Sequence, residues 1–276
     1  MAMWALEQLW IPRRASVFSD TPVALVASLG SAWFAAASLT HAGWLPSTVL
    51  EVVALTATHG GLLAVALAWG AADAGVRLPQ GSAAITVVLI AAGATAGALH
   101  EGGGVALMAA PLWLAGLAFR GRLRGLGLGR GNSVGPIVVG GIIGALLGSH
   151  LLFSASQTLG YPLRTGSWLI VLTRWTYDLG ANVISAELFF RGALFNRLQR
   201  RWSFGSAAAL ATALSLIRYV SDPLLPGEVE VVVGALFYIT VLGGINCWLL
   251  WWSGSLAPGL LSSALFFLAY RLLAVG

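Results

Sequence analysis

Apolar runs long enough to cross a bilayer recur along this chain and leave few choices for its fold. Roughly 20 mostly apolar residues span about 30 Å of hydrocarbon. Nine stretches approach or meet that length: Thr21–Leu39, Ser47–Gly70, Ser82–Leu99, Gly104–Phe119, Val134–Phe153, Ser167–Asn196, Gly205–Val220, Glu230–Trp252 and Ser255–Leu273. Backbone N–H and C=O groups in lipid must bond within the protein, so such runs predict helices. The expected fold class is all-α, a polytopic transmembrane helix bundle of about eight or nine spans. The fourth and seventh runs are short, which keeps eight spans with one re-entrant segment open. Composition agrees, at 58% hydrophobic and 9% charged, which excludes an ordinary soluble domain. Twelve Trp and 35 Gly fit interfacial anchoring and close helix approach.

Charge placement predicts orientation. All fifteen basic residues are Arg, as a high-GC genome would encode. With the N-terminus in the cytoplasm, inside loops hold Arg13, Arg14, Arg77, Arg120, Arg122, Arg124, Arg130, Arg197, Arg200 and Arg201, ten in all, against Arg164 and Arg271 outside. Glu101, Asp222, Glu228 and Glu230 fall on or near the outside. This asymmetry follows the positive-inside rule. The net charge of +5 is therefore read as topology, with the lipid bilayer as partner and no nucleic acid. The opening MAMWALEQLWIPRRASVF reads as a short amphipathic stretch on the cytoplasmic surface, not as a cleavable leader. The expected organisation is an N-terminal cytoplasmic segment (1–20), a four-span bundle (21–119), a flexible basic cytoplasmic linker (120–133) and a C-terminal core (134–276).

Ionisable residues inside spans are functional candidates by default. They are Glu51, Arg174, Asp178, Glu187, Arg191 and Arg218. Arg174 and Asp178 are four apart and are expected to form a structural ion pair, as are Glu187 and Arg191. At 100° per residue Asp178 and Glu187 lie on opposite faces of a straight helix, so two separate pairs are expected unless Gly180 kinks it. His41, His59, His100 and His150 read as satisfied structural groups. The single Cys247 excludes an internal disulfide and a cysteine-based metal site. No HExxH or other ligand spacing occurs, so neither metal nor cofactor is expected.

The stretch SAELFFRGALFNRL (185–198), the basic turn NRLQRRW, the Ala-rich helix after it and the late GSLAPGLLS together resemble the CPBP family. These are the CAAX prenyl protease and bacteriocin-processing proteins, also called Abi proteins, and the resemblance runs from about Ser167 to the C-terminus. It implies a CPBP-like helical core in residues 134–276 and an intramembrane protease. The family's first motif is Glu-Glu-x-x-x-Arg, its second Phe-x-x-x-His, and its third His-x-x-x-Asn or Asp. A motif Glu activates water while the two His and the Asn position it and stabilise the oxyanion.

By that resemblance Glu187 and Arg191 are the retained motif residues. Ala186 falls at the first Glu, Ser215 at the second motif's Phe, Tyr219 at its His (Val220 with a one-residue gap), Ser262 at the third motif's His and Phe266 at its Asn or Asp. Ala186 has no proton-transfer chemistry, and no His occupies either His position. Three functions follow. The first is a catalytically degenerate homologue that binds an active paralogue, a protein complex or a C-terminal protein tail. The second is an active endopeptidase with rearranged residues, using Glu187 as base and Tyr219 or Arg218 as oxyanion donor. The third is a transporter or channel with Arg174, Asp178 and Glu187 along a polar path. Convergence of Glu187, Tyr219, Ser262 and Phe266 on one cavity would be the informative arrangement.

Overall fold

A computed structural model describes residues 16–129, 133–158, 160–164, 168–221 and 229–274. Among them the architecture is helical, with one isolated antiparallel bridge between Leu163 and Leu273. Nine rods follow in order. They are α1 (Val23–His41), α2 (Ser47–Ala74), α3 (Ser82–Leu99), α4 (residues 101–119), α5 (Val134–Thr158), α6 (residues 168–199), α7 (Phe204–Val220), α8 (Val229–Ser253) and α9 (Ala257–Arg271). Their limits follow the nine apolar runs closely, because the length of hydrocarbon to be crossed is what the sequence encodes.

Six rods, α1 to α5 and α8, are long and apolar enough to span a membrane. α6 is long but carries Arg174, Asp178, Glu187 and Arg191, whereas α7 and α9 are shorter. α4 begins as a 3₁₀ turn over Glu101–Met108 and becomes α-helical over Ala109–Phe119, which accounts for the shortness of the fourth run. Large apolar side chains such as Phe34, Val88, Leu146, Leu169 and Phe237 face outward. An apolar exterior of this extent belongs in lipid, and the protein is a multi-pass membrane protein.

The two halves share one core. Leu63, Leu67 and Trp69 of α2 pack in the same cluster as Leu188, Phe190 and Phe195 of α6 and Cys247 and Leu250 of α8. The basic segment after α4 is not the flexible linker expected. Leu123 and Leu126 are buried in that core, Arg124 donates to the Ala74 carbonyl at 3.0 Å, and Leu256 N–H donates to the Gly127 carbonyl at 3.0 Å. Two leucines between the arginines outweigh the polar composition. The expected amphipathic N-terminal stretch (1–15) and the outer loop 222–228 lie outside the described residues.

A second cluster joins α5, α8 and α9 through Leu151, Tyr238, Phe266 and Phe267. Here α5 and α9 run against each other closely. A Cβ on Gly140, Gly144 or Gly148 would collide in turn with Pro258, Ser262 and Ala269. Small residues spaced four apart let the two backbones meet, a common solution where lipid offers no hydrophobic drive between helices.

Candidate functional site

Glu187 and Arg191 lie on the inner face of α6, 2% and 3% exposed. Their charges are 4.0 Å apart, an i,i+4 pair shielded from water. The carboxylate has closer partners. Glu187 Oε1 accepts from Asn246 Nδ2 of α8 at 2.9 Å and from Ser263 Oγ of α9 at 2.8 Å. Asn246 Nδ2 also lies 2.9 Å from Ser263 Oγ, so three helices close one triangle of side chains. Arg191 Nη1 donates to Ser215 Oγ of α7 at 3.0 Å. A Cβ on Gly243 would fall 2.5 Å from Arg191 Nη2, so the guanidinium depends on that glycine for its room. Several atoms around the pair are buried without a protein partner, including Glu187 Oε2, Arg191 Nε, Thr212 Oγ1 and Asn246 Oδ1. A buried centre with this many spare polar atoms is costly, and such costs concentrate at functional positions.

None of the contacts described for the Glu187 carboxylate comes from the other expected positions. Tyr219 and Phe266 sit in the cluster of α5, α8 and α9, and Ser262 is pressed against Gly144 of α5. Ala186 packs against the larger core. On α9 the hydroxyl that reaches Glu187 belongs to Ser263, beside Ser262.

Asp178 is also paired differently from expectation. Its carboxylate takes Arg271 of α9, with Nε–Oδ2 at 2.6 Å and Nη2–Oδ1 at 2.9 Å, and not Arg174. A bidentate fork to another helix satisfies both oxygens, which an i,i+4 neighbour cannot match. Arg174 instead lines a groove of about 220 Å³ with Glu51, Leu107 and Tyr177. Asp178 thus takes its partner from α9, and Glu187 takes its closest ones from α8 and α9. α6 widens into π-helical turns at Asp178–Val183 and Ala186–Phe195, so a constant 100° step does not hold along it. Such turns shift side-chain phase and recur at functional sites.

A second buried polar group was hidden in the sequence. His59, 1% exposed, stands in a π-helical turn of α2 (Thr56–Gly60). Its Nδ1 is 2.8 Å from Ser185 Oγ and its Nε2 is 3.3 Å from Tyr177 Oη. Arg218 of α7 donates to Asn182 Oδ1 at 2.5 Å and lies 3.2 Å from His59 Nδ1. The four-span half thus delivers an imidazole beside Ser185 and Arg218, the neighbours of Ala186 and Tyr219. Two other histidines have partners of their own: His150 Nδ1 meets Tyr238 Oη at 2.6 Å, and His100 receives Gly102 N–H at 2.9 Å.

Asp73 of α2 is a further residue missed by the sequence reading. It receives Arg197 at 3.0 and 2.9 Å and Arg200 at 3.0 Å, while Arg197 stacks 4.4 Å over Trp69. Asp73 closely follows the second apolar run and Asn246 interrupts the eighth, a signal that could have found them. Their partners, 124 and 59 residues away in sequence, could not be read from spacing.

The fold and the buried Glu–Arg centre define a helical membrane bundle with an ionisable pair in its interior. Residues 167–269, somewhat over a third of the chain, match the family model described as Type II CAAX prenyl endopeptidase Rce1-like. No curated protein and no solved structure matches the chain.

Proposed function

We propose that the protein is a catalytically degenerate Rce1-like membrane protein. It binds a C-terminal protein tail, an active paralogue or a membrane complex without cutting it. It resides in the cytoplasmic membrane of a bacterial cell, with its N-terminus in the cytoplasm. The observation that carries this reading is the state of Glu187, whose Oε1 is held by Asn246 and Ser263 inside a centre only 2% exposed. A base serves when it reaches a proton to abstract in a plausible substrate pose. The resemblance places Ala186, Tyr219 and Ser262 where a Glu and two His would act, and none of these supplies the same chemistry.

General-base assistance is worth about 10²–10⁴-fold and an oxyanion donor about 10²–10³-fold more. The purified protein is therefore expected to leave CAAX-type and sorting-tail peptides intact. Ala186→Glu alone is expected to stay inactive, because Tyr219 and Ser262 still lack imidazole chemistry. The assay compares the parent, Ala186→Glu, and the triple variant adding Tyr219→His and Ser262→His. Turnover by the parent that disappears in Glu187→Ala overturns the proposal.

An active endopeptidase with rearranged groups is a second reading with one observation behind it. His59 stands beside Ser185 and Arg218, next to the two degenerate positions. Under that reading, parent turnover would be lost in His59→Ala as well as in Glu187→Ala.

A further inference from the structure

Glu51 of α2 and Arg174 of α6 line one groove of about 220 Å³, below the size of drug-sized sites. Arg174 is exposed and Glu51 half-buried. Among the described residues neither charged group has a hydrogen bond or an ion pair. Unpaired charges on spanning helices are costly and mark sites. Their depth follows from the rods. At 1.5 Å per residue α2 and α6 are about 42 and 48 Å long, so each overruns the roughly 30 Å of hydrocarbon by about 6 to 9 Å per end. Glu51 is the fifth residue of α2 and Arg174 the seventh of α6, about 6 and 9 Å from their starts. Both therefore sit where hydrocarbon gives way to headgroups, and side chains lean further toward a helix N-terminus. Deeper along the same groove Leu55, Ala94 and Leu107 form an apolar floor. The order, charged at the rim and apolar beneath, is that of a lipid.

We propose that this groove seats the headgroup of a phosphatidylethanolamine, its phosphate at Arg174, its ammonium at Glu51 and the start of its chains over Leu55 and Leu107. Charge complementarity selects the occupant. A guanidinium presents a planar fork of donors that matches phosphate oxygens. Arg164 and Arg271 act on Arg174 with like charge, so an anion is what this end of the groove lacks. A primary ammonium brings three N–H donors to the Glu51 carboxylate. The trimethylammonium of choline has none, and phosphatidylglycerol has no cation at all. Ile170, one turn before Arg174 on the same helix face, is exposed and apolar, so lipid borders the groove. This site is independent of whether Glu187 hydrolyses anything.

The test uses the full chain in nanodiscs of equal phosphatidylethanolamine, phosphatidylglycerol and phosphatidylcholine, with retained lipid read by native mass spectrometry. The parent is expected to keep phosphatidylethanolamine about tenfold over each of the others, the scale of one charge-assisted hydrogen bond. Glu51→Gln is expected to bring phosphatidylglycerol level with phosphatidylethanolamine, because only Arg174 is then left to choose. Arg174→Gln is expected to lower retained phosphatidylethanolamine about tenfold. Ala98→Phe leaves both charges in place, fills the groove from an exposed lining position and is expected to lower it likewise. Equal retention of the three lipids by the parent overturns the proposal, as does a parent preference for either of the others. So does parental retention in Arg174→Gln or Ala98→Phe, or a preference over phosphatidylglycerol that survives Glu51→Gln. Should a charge variant fail to fold, the parent and Ala98→Phe decide the matter. Soluble phosphoethanolamine that raises the parent's thermal midpoint in detergent as much as phosphatidylethanolamine does would assign the site to a free zwitterion and overturn the lipid.

Discussion

At Glu187 the acidic side chain faces Asn246, Ser263 and Arg191 at once, and each contact comes from a different turn or helix. Breaking a buried pair by removing one partner typically costs about 3–5 kcal/mol, because the remaining charge is left in low dielectric. Glu187→Ala is expected to lower the thermal midpoint in detergent accordingly, and Glu187→Ala with Arg191→Leu to recover part of the loss. Single variants that melt like the parent would show that the pair contributes little. The pair itself was legible in the sequence, because i,i+4 spacing places two side chains on one helix face. The carboxylate's stronger partners were not legible, since Asn246 and Ser263 reach it only through helix packing. Asp178 teaches the same lesson: its nearest opposite charge in sequence is Arg174, yet the fork of Arg271 satisfies it.

Among the elements, the α5–α9 contact offers the clearest test of packing. Gly144 faces the backbone of Ser262, so a side chain there has no flexible neighbour to displace. Overpacking in well-packed cores usually costs about 1–3 kcal/mol and occasionally more. Gly144→Leu is expected to lie at or above the upper end, read as a lowered thermal midpoint, whereas Gly116→Leu, with no atom within reach of its Cβ, is expected to be near neutral. Helix positions were legible throughout, since crossing lipid demands long apolar runs whatever their partners. The docked segment after α4 was misread because Arg and Gly dominate its composition. The energy resides instead in Leu123 and Leu126, which enter the common core.

For the whole molecule, the distribution of Arg sets a vectorial expectation. A reporter fused at Gly129 is expected to report the cytoplasm, and one fused within residues 222–228 the outside. Activity of a periplasm-dependent reporter at Gly129 would invert the topology. The joint core of both halves was not legible, because no motif marks residues 21–119 and the resemblance begins near Ser167. His59 shows what that concealed: the half without motifs supplies the imidazole beside the half with them.

The union of Asp73 with Arg197 also has a history in time. The two residues are separated by 124 positions, and ribosomes add roughly 5–20 residues each second. A nascent chain therefore carries Asp73 for roughly 6–25 s before its arginine is made. During that interval α1 to α4 must persist as an unfinished assembly whose acidic residue has water or headgroups for company. A chain interrupted before α6 would keep that state indefinitely. It would leave Asp73 and Asp20 without the Arg197 that both meet in the folded chain.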